Sequence, residues 1–164
     1  MDKVTLDRIE FIHPKLKDES KLIYAEICAA LTGKAMCRFA YTLRSFAEQD
    51  ALFHAVPQVT KAKGGQSYHN YGLAVDIVLV VDKDGNGSYE TASWDTKSDF
   101  DGDGKSDWQE VVAIFKRYGW EWGGNWASFP DMPHFQKTLG YTIVQLQALH
   151  AKQLANGKTG YLAL

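Results

Sequence analysis

Hydrophobic residues recur at helical spacing in several segments of the 164-residue chain. The pattern predicts four helices, at residues 20–31, 45–55, about 108–118 and 142–153. Ser20 is placed to cap the first of them, Gly33 to end it, and Gly119 to end the third. Their apolar stripes indicate helices that each cover one side of a core.

Other segments have the pattern of strands. Residues 35–44 are rich in aromatic and aliphatic side chains, and residues 73–81 are apolar on both faces, which predicts a central strand. Residues 120–136 mix aromatics, glycines and prolines and indicate short strands joined by a tight loop. With no repeat and no linker, the chain is expected to form one α+β domain over residues 1–164, with a small antiparallel sheet flanked by helices.

Composition narrows the classes of function. A formal net charge of -2 and a pI near 6.2 give no general attraction to nucleic acid or to anionic membranes. No segment has the length of a membrane span, and the charged N-terminus lacks the apolar core of a signal peptide. We expect a monomer made in the cytoplasm, without nucleic-acid partner or membrane insertion, and with Cys28 and Cys37 as buried free thiols.

Asp76 stands in the middle of the apolar central strand, where an uncompensated carboxylate is costly. His69 precedes that strand and His134 lies in the later aromatic segment. Two imidazoles and one carboxylate are ligand types of a catalytic zinc, which keeps its fourth position for water. Asp131 would then accept a proton as general base, and Arg44 would stabilise a developing oxyanion. Alternatively, Asp131 would only orient His134, and Arg44 would be a structural ion-pair residue.

A family resemblance rests on three motifs in order, S-x-H-x-x-G-x-A-x-D at 67–76, W-x-W-G-G at 120–124 and D-x-P-H-F at 131–135. Together they resemble the VanY and endolysin branch of the D-alanyl-D-alanine carboxypeptidases, peptidase family M15. The resemblance implies a Hedgehog/DD-peptidase-like zinc fold. It also implies a zinc metallopeptidase that hydrolyses peptide bonds in peptidoglycan stem peptides.

The resemblance implies a role for each site residue. His69, Asp76 and His134 would be the zinc ligands, Asp131 the general base for a zinc-activated water, and Arg44 the substrate and transition-state residue. It further implies three residues that line the substrate site, Ser45, Gln49 and Ser67.

Related activities stay open within this family. Asp131 stands where the VanX-like dipeptidases usually have Glu, which favours an endolysin-like L-Ala-D-Glu endopeptidase over a D,D- or L,D-carboxypeptidase. A non-catalytic Hedgehog-like zinc and calcium binding module is the alternative, although the presence of Asp131 and Arg44 argues against it. Such an enzyme would act on the cell wall if released during phage or prophage lysis, or would work in the cytoplasm.

An acidic segment at residues 99–110, DFDGDGKSDWQE, satisfies the calcium-loop pattern. Its expected ligands are Asp99, Asp101, Asp103, Lys105 through its carbonyl, Asp107 and Glu110. The preceding TASWDTKS does not resemble a helix, so an isolated loop is expected rather than a helix-loop-helix hand. An acidic turn that binds no metal is the alternative.

A second acidic turn begins at Asp82 and continues with Asp84 and Asn86. Its twelfth position is Ser93, so Glu90 would have to supply the missing carboxylate. The two turns form a calcium-loop insertion at about 82–110. We expect calcium bound there to order the wall of the active site.

Overall fold

The computed structural model describes residues 1–164 and contains five α-helices and five strands. The helices are α1 (Lys3–Ile9), α2 (Pro14–Ala30), α3 (Phe46–Phe53), α4 (Asp107–Arg117) and α5 (Ile143–Ala155). The strands are β1 (Ala35–Tyr41), β2 (Ala74–Val81), β3 (Thr91–Ser93), β4 (Glu121–Trp122) and β5 (His134–Gln136). Short 3₁₀ helices at Tyr68–Tyr71 and Gly123–Asn125 complete the regular structure. The predicted α+β class is confirmed.

Strand β2 is the centre of a wholly antiparallel sheet. One edge of β2 pairs with β1. Its other edge is divided, because β5 pairs with the start of β2 at residues 74–76 and β3 pairs with its end at residues 79–81. Strand β4 extends the sheet beyond β5. Asp76, near the start of β2, therefore lies beside β5 and not beside β3.

The first long helix starts earlier than its hydrophobic pattern predicts. Helix α2 begins at Pro14, the residue type favoured at a first helical position, and His13 accepts a hydrogen bond from the Lys15 N–H as the cap. The prediction that Ser20 caps this helix is wrong, because Ser20 lies buried within it. Leu22, which belongs to the apolar pattern of this helix, is 59% exposed. Helix α1 was not predicted.

The core lies between the sheet and helices α2 and α4. Phe115 of α4 stacks on Phe135 of β5 with ring centroids 4.2 Å apart. Cys37 is buried and Cys28 half-buried, and both are free. None of the five α-helices combines the length and the hydropathy that a bilayer-spanning segment requires.

Candidate metal centre

Three side chains converge where β2 begins. His69 comes from the 3₁₀ helix at Tyr68–Tyr71, whose N-terminus is capped by Ser67. Gly72 then turns the chain into β2 with a left-handed φ of 71°. A Cβ at this position would lie only 2.8 Å from the backbone nitrogen of His13. Asp76 of β2 is paired in register with His134 of β5. Local turn geometry and strand register therefore bring two distant histidines to one aspartate.

The facing atoms of these side chains form a nearly equilateral triangle. His69 Nε2 lies 3.0 Å from Asp76 Oδ1 and 3.2 Å from His134 Nδ1, and the third side, from His134 Nδ1 to Asp76 Oδ1, is 3.1 Å. A tetrahedral zinc with ligands at about 2.0–2.1 Å holds them about 3.3 Å apart. The triangle is within a few tenths of an ångström of that spacing.

The outer nitrogens of both histidines are held by acceptors. His69 Nδ1 lies 2.7 Å from the Thr42 carbonyl oxygen, so this nitrogen carries the proton. His134 Nε2 lies 3.0 Å from Gln136 Oε1, and the Gln136 amide donates to Glu121, which fixes its orientation. In the neutral tautomers, both inner nitrogens therefore present lone pairs toward Asp76. Such an arrangement suits a cation at the centre of the triangle.

The surroundings of the cluster shift the pKa values of Asp76 and His134. Burial alone would raise the pKa of Asp76, but the adjacent His69 and His134 hold it far below its usual range. The pKa of His134 is raised, because the hydrogen bond and charge of Asp76 outweigh the opposing effect of burial. Asp76 is thus an anion at ordinary pH, and it favours positive charge at the neighbouring atoms.

Arg44 lies beside the triangle. Its Nη2 is 3.6 Å from Asp76 Oδ2, its Nη1 donates to Gln49 Oε1 at 3.0 Å, and its guanidinium stands 5.2 Å from the centroid of the Tyr41 ring. The side chain is 12% exposed. The guanidinium is thus held in place at the cleft with part of its surface accessible to a bound anion.

Asp131 stands on the wall of the same cleft. Partial desolvation raises its pKa, and the charge of Asp76 adds to this effect. Its N–H donates to the Gly123 carbonyl at 3.0 Å, and its own carbonyl accepts from the His134 N–H at 3.2 Å. A Cβ on Gly123 would lie 2.5 Å from the Asp131 oxygen, so only glycine permits this close backbone approach.

The triangle opens into a cleft of about 980 Å³. Trp126 lies over His134, with ring centroids 5.1 Å apart. Across the opening, Lys61 Nζ stands 3.2 Å from the centroid of the Phe129 ring and joins two loops of the rim. The cleft thus combines aromatic surface with the two cations Arg44 and Lys61, which suits a peptide that carries carboxylates.

The three residues proposed to line the substrate site have different surroundings. Gln49 is buried at the cleft, and its amide donates to the Ala62 carbonyl at 2.9 Å. Ser67 also lines the cleft, but its hydroxyl accepts from the His69 N–H. Ser45 caps α3 in a capping box with Glu48 and lines a separate pocket on the other side of Arg44. Their contact with substrate stays a prediction.

The acidic turns lie at the other end of β2. Asp82 follows the last residue of this strand, and six residues of extended chain place it about 20 Å from Asp76. No residue of 82–110 lines the cleft, so calcium bound there would act on the active-site wall only indirectly, and the expectation that it orders this wall stays a prediction. Strand β3 precedes the acidic loop at residues 99–106, in agreement with the predicted absence of an entering helix.

Several residues around the triangle were missed from the sequence. Gln136 could have been found, because it lies two residues after His134 in a strand and so points to the same face. Thr42 acts through its backbone carbonyl, which any residue supplies. Lys61, Phe129 and Trp126 lie in loops whose pairing across the cleft has no periodic signal.

Comparisons with known proteins converge on one family. Residues 60–137 match a peptidase M15 family model described as D-alanyl-D-alanine carboxypeptidase. The chain is 49% identical over 98 residues to the peptidoglycan L-alanyl-D-glutamate endopeptidase CwlK of Bacillus subtilis (strain 168). This alignment covers 57% of this chain and 55% of that protein. The chain is 35% identical over 71 residues to the L-alanyl-D-glutamate peptidase of Listeria phage A118, covering 43% of this chain and 21% of that protein.

A solved structure has the same fold. The L-Ala D-Glu endopeptidase ChiX of Serratia marcescens superposes with a TM-score of 0.56 at 21% sequence identity, over 85% of this chain and 90% of that one. The chain spans about half of the length of the first curated relative and about a fifth of the second. The predicted resemblance to peptidase family M15 is confirmed.

Proposed function

Residues 60–137 carry the M15 peptidase signature, and from this premise we propose that the chain is a zinc metallopeptidase of peptidoglycan stem peptides. The bond proposed for cleavage is L-Ala-D-Glu, the bond for which CwlK and the phage A118 protein are named. The active unit would be one domain over residues 1–164 that acts on the cell wall.

One observation carries the proposal. Two histidines and one aspartate direct three metal-ligating atoms at a common point, with all three separations between 3.0 and 3.2 Å. The acceptors Thr42 and Gln136 hold both imidazoles in the tautomers that ligation needs. A purely structural hydrogen-bond cluster would require a proton between each pair of facing atoms.

The donor set fits zinc. His69 Nε2, His134 Nδ1 and Asp76 Oδ1 would hold the ion, which when bound polarises a carbonyl and lowers the pKa of water. All three ligand residues line the cleft, so a substrate bound there would lie next to the ion.

The remaining residues perform the proton transfer and bind the substrate. Asp131 takes a proton from the attacking water on a carboxylate oxygen and then delivers it to the leaving amine nitrogen. Its raised pKa suits both halves of this transfer. Arg44 is directed into the cleft beside Asp76, where its guanidinium would bind an oxygen that gains negative charge. Trp126, whose ring lies 5.1 Å from the His134 ring, would limit the access of water on that side.

Purified muropeptides test the proposal. The zinc-loaded protein should release L-alanine-terminated and D-glutamate-initiated fragments, identified by mass. Asp131→Asn should reduce turnover by about 10²-fold or more while zinc content stays unchanged. Absence of any cleavage by the zinc-loaded wild type would contradict the proposal and would favour a binding module.

A second activity is favoured by the description of the matching family model, D-alanyl-D-alanine carboxypeptidase. The same incubation distinguishes the two, because a carboxypeptidase releases free D-alanine from pentapeptide stems and an L-Ala-D-Glu endopeptidase does not. Pentapeptide and tetrapeptide stems should therefore be compared in parallel.

A further inference from the structure

The acidic loop at residues 99–106 and the first turn of α4 form a cluster that the peptidase reaction does not use. Carboxylate oxygens of Asp99, Asp101 and Asp107 all lie within 4.8 Å of one another. From these contacts we propose that the loop and the start of α4 bind one calcium ion.

Asp107 provides the independent evidence. Its side chain is completely buried, and its Oδ2 accepts from the Phe100 N–H at 3.0 Å. Its Oδ1 is buried without any hydrogen-bond partner, and Asp107 is one of the three residues whose carboxylates converge. A buried carboxylate oxygen without a partner is costly, and a hard cation would compensate it.

Glu110 has the same deficiency one turn further along α4. Its Oε2 is buried and unpartnered, while its Oε1 lies 3.4 Å from the Lys105 ammonium, which also lies 2.8 Å from Asp103 Oδ2. The Lys105 side chain is 66% exposed, so it can leave this position without unpacking the core. A bound cation would take the place of the Lys105 ammonium and contact the carboxylates of both Asp103 and Glu110.

The ligand set indicates calcium rather than magnesium. The glycine-containing loop and the first turn of α4 carry four aspartates and a glutamate. They supply many oxygens without a rigid octahedral arrangement. The remaining ligand is the Lys105 carbonyl, at the seventh position of the loop.

The second acidic turn provides a contrast within the same chain. Asp82 is also buried, but its two oxygens accept three backbone N–H groups, from Gly85, Asn86 and Gly87. It has no unpartnered oxygen. Carboxylate oxygens of Asp82, Asp84 and Glu90 also lie within 4.8 Å of one another. Because Asp82 has no unpartnered oxygen, calcium at this turn stays a prediction, and the turn serves as an internal control.

The site would stabilise the fold rather than take part in the chemistry. Asp101 Oδ2 accepts from the Thr32 N–H at 2.9 Å, so the loop is attached to the turn between α2 and β1. Asp107 starts α4, whose Trp108 and Phe115 are buried in the core. Calcium should thus link the loop, this turn and the core helix.

The test uses calcium chloride with zinc-loaded, calcium-depleted protein, and zinc is measured in every sample. Isothermal titration should show one calcium per chain, and calcium at 100 times its Kd should raise Tm by about 5–10 °C. Asp107→Asn and Glu110→Gln should each weaken binding by at least about 10-fold, whereas the control Asp84→Asn should leave it unchanged.

Three results would overturn the calcium proposal. The first is the absence of both binding heat and a Tm shift at millimolar calcium. The second is an unchanged calcium affinity in Glu110→Gln, and the third is loss of calcium binding in Asp84→Asn. The more exposed Glu110 variant keeps the test decisive if Asp107→Asn does not fold. None of these readouts depends on peptidase activity, so this proposal and the proposed function fail separately.

Discussion

Gly123→Ala would displace the proposed base without altering its carboxylate. The φ angle of Gly123 is accessible to any residue, so alanine introduces contacts without backbone strain. The new Cβ would lie 2.5 Å from the Asp131 carbonyl oxygen and 3.2 Å from the Cβ atoms of both Asp131 and His134. Real contacts of this kind stay above 3.0 Å, so the Asp131 carbonyl must move by at least about 0.5 Å.

The expected loss follows from this displacement. A misplacement of 1 Å can cost about 10²-fold in rate, so we expect kcat/KM on a muropeptide to fall by roughly 10- to 100-fold. Overpacking should also lower the free energy of unfolding by about 1–3 kcal/mol. Both quantities would be measured on zinc-loaded protein well below Tm.

Gly64→Ala is the matched control for this substitution. Its Cβ would lie 2.7 Å from the Phe46 carbonyl oxygen, a similar clash away from Asp131, and Gly64 also has an unstrained φ. It should be destabilised to a similar extent and keep most of its kcat/KM. If Gly123→Ala loses stability but hydrolyses as fast as the control, the position of Asp131 does not matter and the reasoning is refuted.

Two further substitutions test the support of the site and of the fold. Gln136→Leu removes the acceptor for His134 Nε2–H, so zinc affinity measured by chelator competition should fall about 10- to 100-fold. Gln136→Glu keeps an acceptor and should retain most of the affinity. Equal zinc affinities in the two variants would contradict the role of this side chain. Asp2→Asn weakens the cap of α1 and the ion pair with Arg38, and urea unfolding at pH 7 should show a loss of about 1–3 kcal/mol. Burial alone would raise the pKa of Asp2, but the hydrogen bonds from Arg38 and Thr5 lower it, so this stabilisation is present above about pH 4 and is lost as pH falls further. A difference between wild type and Asp2→Asn that does not shrink at low pH would contradict the assignment.

Strand β2 shows how much of the fold could be predicted from the sequence. Its two apolar faces identified a central strand, and the single Asp76 within it identified the site. The start of α2 could not be found in the same way, because residues 14–19 are mainly polar and only Leu16 among them is buried. Helix α1 is short, and its place depends on contacts with β1 rather than on its own pattern.

The site was predicted less completely than the fold. His69, Asp76 and His134 could be paired because their residue types form a ligand set, and the structure brings them together. The distance of the acidic turns from the metal centre could have been predicted, since Asp82 is six residues beyond Asp76 in an extended strand. The rim contact between Lys61 and Phe129 depends on how two loops fold back over the cleft, which no local pattern specifies.

Metal analysis of the zinc-reconstituted protein tests the central claim most directly. The wild type and His54→Ala, which removes an exposed histidine away from the triangle, should each retain about one zinc per chain after dialysis. His69→Ala should retain almost none. Equal zinc content in His69→Ala and in the wild type, or peptidase activity in wild-type protein free of zinc, would contradict a metal centre at His69, Asp76 and His134.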